Sequence, residues 1–152
     1  IEAGDGLDRA IAAAQARGLA EADPSRDLDG RDVADKLAIL AWVAWGIDPG
    51  RVQVDRTGLP RDVAARVRAA GRAGARLRLI GECQRDAAGV HAVVRVETVA
   101  ADSAFGQTLD EQNRLEIDLG WGMPLALSGP GAGGVPTAAA VWSDLVDTAV
   151  TA

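Results

Sequence analysis

Apolar residues recur at Leu7, Ile11 and Ala14, one helical turn apart, and predict a first helix over LDRAIAAAQARG. Asp5 or Gly6 is placed to cap it, and Gly18 to end it. LAEADPSRDLDG follows, polar and turn-rich, with Asp23-Pro24 as its punctuation. A second helix is expected from Arg31 to Trp45. Its first turn is polar (Arg31, Asp32, Asp35, Lys36), whereas LAILAWVAW is apolar on nearly every face. A helix of that kind is expected to be buried on every face. Gly46 and Asp48-Pro49-Gly50 terminate it.

Val52 to Val54 reads as a short strand. Pro60 suits the first turn of a third helix, Leu59 to about Ala70. Ala75 to Cys83 and His91 to Val99 alternate in the manner of strands, and Leu115 to Leu119 and Met123 to Leu127 read as two more. A last helix runs from about Pro136 to Ala149. Helices first, then strands, then one helix predict an α+β fold, with a mixed, largely antiparallel sheet covered by helices. Residues 1–152 read as one domain without internal repeats.

Composition narrows the function. The chain has 152 residues, 48% hydrophobic and 25% charged, enough for a core that needs no metal or disulfide. Cys83 is the only cysteine, so no intrachain disulfide can form, and a reducing cytoplasm fits. No apolar run approaches the ~20 residues of a membrane helix, and no signal peptide is recognisable. The net charge of −6, with arginines and acids interleaved, argues against nucleic acid as a partner. His91 and Cys83 form no cluster of metal ligands.

Two segments carry candidate chemistry. In SGPGAGGVPTAAAV, Gly129, Gly131 and Gly134 satisfy GxGxxG. The chain beyond Gly134 is too short for the second strand of a dinucleotide-binding unit. The loop reads as a tight strand-to-helix turn, or as one wall of a cleft shared with another domain. The other segment crowds Glu21, Asp23, Asp27, Asp29, Asp32 and Asp35 together ahead of Lys36, the chain's only lysine. Most of these acids suit a solvated loop and a helix N-terminus. Asp32 and Lys36, four apart on one helix, read either as a surface ion pair or as an amine tuned for proton transfer beside a buried helix. Together with Glu21 they suggest a site for a small amino acid.

Three stretches resemble homoserine dehydrogenase. AQARGLAEADPSRDLDGRDVADKLAILA (Ala14 to Ala41) is similar to that family's E-x-D-P, D-x-x-G-x-D and K-L-x-I-L steps. GECQRDAAGVHAVVRVETV is a weaker match. LSGPGAGGVPTAAAVWSDLVD (Leu127 to Asp147) is similar to its closing glycine loop and helix. The resemblance implies reduction of aspartate 4-semialdehyde to homoserine with NADPH or NADH, in threonine and methionine biosynthesis, by a homodimer. It implies that Lys36 is the proton donor, with Asp32 the carboxylate one turn before it. Glu21 and Asp27 would bind substrate, and Gly133 would meet the coenzyme. NADP or NAD would be held mainly by an N-terminal domain ahead of Ile1, so the 152 residues alone are expected to be inactive.

The sequence departs from the family where Thr98 follows Glu97 and where Asp35 stands in place of a basic residue or histidine. Two other readings stay open: a non-catalytic binding or dimerisation module, and a dehydrogenase for another small amino-acid aldehyde.

Overall fold

Backbone hydrogen bonding in the computed structural model, which describes residues 6–151, gives helices α1 (Leu7–Ala16), α2 (Ser25–Leu28), α3 (Arg31–Trp45), α4 (Val63–Arg72) and α5 (Gly134–Thr151). The strands are β1 (Val54–Arg56), β2 (Ala75–Asp86), β3 (Gly89–Ala100), β4 (Gln112–Ile117) and β5 (Leu125–Pro130). Gly6 caps α1 without a side-chain bond, and the alternative cap, Asp5, lies outside the described residues. Gly46 ends α3 in the left-handed conformation, its N–H bonded to the Trp42 carbonyl at 2.8 Å, the ending a residue without Cβ favours. Pro60 precedes α4 instead of lying in its first turn, and β1 starts two residues later than expected. The four-residue α2 and a 3-10 turn at Pro49–Arg51 carried too short a pattern to be read.

β2 and β3 form a long antiparallel hairpin, and β1 adds to β3 in parallel. β4 and β5 make a separate antiparallel pair. The architecture is α+β with mixed, mainly antiparallel pairing, as expected. Alternation divides the larger sheet into two faces. Leu79, Cys83, Ala92 and Val94 pack with Val33, Ala34 and Leu37 of α3 into the core. On the opposite face, Arg95 bridges Glu82 at 3.2 Å and Glu97 at 2.8 Å. Gly81 lets α3 approach the sheet: a Cβ there would stand 2.7 Å from Val33 Cγ1 and 3.0 Å from Leu37 Cδ1.

The expectation that α3 is buried on every face does not hold. Ala34, Leu37 and Ala41 are buried, but Trp42 is 56% and Val43 74% exposed. One face of α3 meets the sheet, and the side carrying Ile39, Trp42 and Val43 stays exposed. Trp121, Met123, Leu127, Trp142 and Leu145 are also exposed, and no side chain described in α5 is fully buried. Isolated exposed apolar residues are ordinary, whereas clusters of large ones mark surfaces that pack against something.

Candidate active site

The acidic segment is folded by its own side chains. Asp23 accepts the Ser25 N–H at 3.0 Å and starts α2. Asp29 accepts the Arg31 N–H at 2.9 Å and bridges Arg56 of β1 at 2.9 Å. The Arg31 N–H is the largest cause that holds the Asp29 carboxyl below its ordinary value; desolvation, the next, opposes it, and the Arg56 guanidinium adds to the lowering. Asp35 pairs with Arg26, joining α2 to α3. These three acids act as the local fold requires, and Asp35, where the family resemblance breaks, has a structural partner.

Lys36 and Asp32 are a different case. Lys36 Nζ lies 2.7 Å from Asp32 Oδ2, with 51% and 44% of the two side chains exposed. Lys36 is therefore not shut away from water by the apolar stretch that follows it. The perturbed group is its neighbour Asp27, whose carboxyl is pushed up from the ordinary value. Loss of surrounding water is the largest cause and the Asp32 charge the next; Lys36 pulls the other way, and Glu21 adds to the rise. Glu21, Asp27, Asp32 and Lys36 thus share one electrostatic neighbourhood.

The glycine loop comes to the same region. Gly133 has φ +104°, which a side chain would strain. A Cβ there would meet Leu19 Cδ2 at 4.0 Å, two residues from Glu21. The Gly133 carbonyl accepts both the N–H and the hydroxyl of Thr137, at 3.1 and 2.9 Å, opening α5. Gly129 and Gly131 line a cleft of about 800 Å³ that also takes in Lys36, Arg78, Phe105 and Asn113. Of the two readings of the loop, the structure shows the tight turn into α5, and the cleft that Gly129 and Gly131 wall is lined by this chain's own residues.

Several residues of this region were not singled out from the sequence. Asn113 lies against Gly131 so closely that a Cβ would stand 2.0 Å from its Nδ2. Arg78 donates to the Phe105 carbonyl at 3.1 Å and the Gly106 carbonyl at 2.9 Å, holding a loop that walls the cleft. Gln15 and Arg17, at the end of α1, reach the Glu21 carbonyl and the Glu111 carboxylate. Their signal was weak: Arg17 and Arg78 have partners far along the chain, and Gln15 meets its partners only because the chain reverses after α1.

A family model described as homoserine dehydrogenase matches residues 1–146. The homoserine dehydrogenase of Pseudomonas aeruginosa is 34% identical over 140 residues, which is 90% of this chain and 32% of the relative. That of Mycobacterium leprae is 34% identical over 148 residues, 94% of this chain and 34% of the relative. Among solved structures, a homoserine dehydrogenase from Thiobacillus denitrificans matches with a TM-score of 0.78 at 33% identity, over 95% of this chain and 33% of its own. A hyperthermophilic archaeal homoserine dehydrogenase in complex with NADPH matches with a TM-score of 0.75 at 28% identity, over 99% and 42%. The chain spans about a third of the length of the curated relatives it matches. The family model spans nearly the whole chain, relatives at 34% identity match nine-tenths of it or more, and the fold agrees with theirs, so the chain belongs to the homoserine dehydrogenase family.

Proposed function

We propose that this chain, residues 1–152 acting as one domain, is the substrate-binding and catalytic part of an enzyme interconverting L-homoserine and L-aspartate 4-semialdehyde with NADP or NAD, in threonine and methionine biosynthesis. The observation that carries it is the Lys36–Asp32 pair at 2.7 Å, beside the mutually interacting Asp27 and Glu21. The three carboxylates attract the ammonium group of an amino acid. Lys36 gives a proton to the substrate oxygen as the aldehyde is reduced, and its neutral amine takes the proton back in the reverse direction. Asp32 holds the Lys36 side chain in place between turnovers. An ion pair this exposed contributes only a few tenths of a kcal/mol, so substrate can replace either partner at little cost.

The region of Gly133 fits the edge of a coenzyme. Besides Leu19, a Cβ there would meet only Pro136, at 3.7 Å, and one at Gly134 would meet nothing within 4 Å, so a ligand can approach the backbone. The N–H groups at the start of α5 suit an electron-rich group there. When bound, the nicotinamide supplies the carbon that accepts or gives the hydride. That an archaeal homoserine dehydrogenase similar to this chain is in complex with NADPH supports a nicotinamide coenzyme for the enzyme.

The exposed apolar faces of α3 and α5 and around β5 support a coenzyme-binding part and a second subunit packed against this domain. With the coenzyme held mainly elsewhere, the 152 residues alone carry no turnover. Cytoplasmic placement follows from the pathway and suits the lone Cys83. The substrate is tested by comparing kcat/KM of the intact enzyme on L-homoserine, L-serine and the amino alcohol one methylene longer. L-homoserine is expected to lead. A lead for either of the others overturns the assignment in favour of a dehydrogenase for a different amino-acid aldehyde.

A further inference from the structure

Gln15 occupies the last turn of α1, and the chain reverses directly after it. The Gly18 N–H bonds the Gln15 carbonyl at 2.9 Å, and the Leu19 N–H bonds the Ala14 carbonyl, also at 2.9 Å. The reversal returns residues 19–22 alongside the helix they have just left. The half-buried Gln15 side chain spans the gap. Its Nε2 donates to the Glu21 carbonyl at 2.8 Å and to the Ala22 carbonyl at 3.3 Å. A carboxamide nitrogen has two hydrogens and can serve both carbonyls at once. Glu21 and Ala22 lie outside every helix and strand. Among the described residues, these are the hydrogen bonds that their carbonyls accept.

The same helix end also reaches the other side of the site. Arg17 bridges Glu111 at 3.0 Å, and the Glu111 carbonyl accepts the Gly131 N–H at 2.7 Å. Leu19, within the reversal, lies against Gly133. The end of α1 is therefore the element to which both the acidic segment and the glycine loop are tied. The Arg17 link is an exposed ion pair and weak. The Gln15 link is bidentate, shorter in its better arm, and attached to the backbone of Glu21 itself.

We propose that Gln15 is a positioning residue for substrate recognition, fixing the Glu21 backbone so that its carboxylate faces the substrate without itself touching the substrate. This rests on the reading of Glu21 as a substrate-binding residue. Without the anchor, residues 20–23 would sample several backbone conformations, and only the fraction with Glu21 in place would bind productively. The loss would fall on KM for homoserine and not on kcat or KM for the coenzyme.

The test is steady-state homoserine oxidation by the intact enzyme carrying Gln15→Met, Gln15→Asn, Glu21→Ala, or Gln15→Met with Glu21→Ala. Removing hydrogen bonds of this kind is expected to raise the homoserine KM of Gln15→Met by roughly tenfold, with kcat within about twofold. The expected signature is non-additivity: the double variant has the same homoserine KM as Glu21→Ala alone, because Gln15 acts only through Glu21. Gln15→Asn, one methylene too short to reach, behaves like Gln15→Met. An unchanged KM in Gln15→Met, while Glu21→Ala raises it, overturns the proposal and leaves the site reading intact. An unchanged KM in Glu21→Ala overturns the site reading itself. Additive effects in the double variant, or equal losses in kcat and thermal stability, show a generally structural residue and also overturn the proposal.

Discussion

Lys36 Nζ stands 2.7 Å from Asp32 Oδ2, one turn back along α3, and about half of each side chain remains exposed. The helix alone sets this distance, since residues four apart share a face. What surrounds the pair comes from elsewhere: β2 and the glycine loop supply the cleft wall, and the acidic segment supplies the charges that act on Asp27.

A large effect on turnover and a small one on stability are expected for Lys36→Ala. Loss of a positioned acid or base costs roughly 10²–10⁴-fold in kcat. Loss of an exposed ion pair costs at most about 0.5 kcal/mol. Homoserine oxidation by the intact enzyme and its urea midpoint measure the two. Near-normal turnover would favour a binding or dimerisation module over the catalytic reading.

Asp27 links the site to stability. Its folded-state value is raised, so the folded protein holds that proton more tightly than the unfolded chain. The stabilisation is full below the ordinary carboxylate value of about 4, and is lost as pH rises through the folded-state value. At neutral pH the charged Asp27 is therefore unfavourable to the fold. Asp27→Asn is expected to melt higher than the wild type at neutral pH, with the difference shrinking in acid, and to have a raised homoserine KM. Thermal melts across pH decide this, and a lower melting temperature at neutral pH contradicts it.

Gly81 tests how α3 sits on the sheet. With Val33 Cγ1 only 2.7 Å from where a Cβ would be, Gly81→Val forces the helix off β2 or its side chains out of their rotamers. Overpacking of this kind costs about 1–3 kcal/mol. The urea midpoint of Gly81→Val should fall accordingly, and an unchanged midpoint would show that α3 moves freely on its sheet.

Local pattern made much of the fold legible. The boundaries of α3 were readable at both ends because its polar first turn and Gly46 are strong signals over a long helix. The strands β2 and β3 were readable from alternation, though each extends beyond the range expected, and their pairing as a hairpin came from the structure. α2, the 3-10 turn and the start of α4 were missed or displaced because they are short or begin with prolines and aspartates that serve a turn as well as a helix, and the short strands β1, β4 and β5 lie two or three residues from where alternation placed them. Among site residues, Lys36 and Asp32 were legible by spacing. Glu21 entered as a nearby carboxylate able to hold an ammonium group, while Asp27 and Gly133 were singled out through resemblance, because a carboxylate in a polar loop or a glycine in a turn has no distinctive local pattern.

By itself the sequence determined what neighbours along the chain can settle: the helix that pairs Asp32 with Lys36, the glycine-rich turn ahead of α5, and an α+β order of elements. Only the tertiary structure decided which face of α3 is buried, because burial depends on the sheet that covers Val33 and Leu37 and on what is left uncovered at Trp42 and Val43. It also decided that Asp27 is the perturbed acid, because its shift depends on lost water and on the charges of Asp32, Lys36 and Glu21. Gln15 meets the Glu21 backbone for the same reason: a hydrogen bond across a chain reversal depends on how that reversal closes, and no pattern within α1 specifies it.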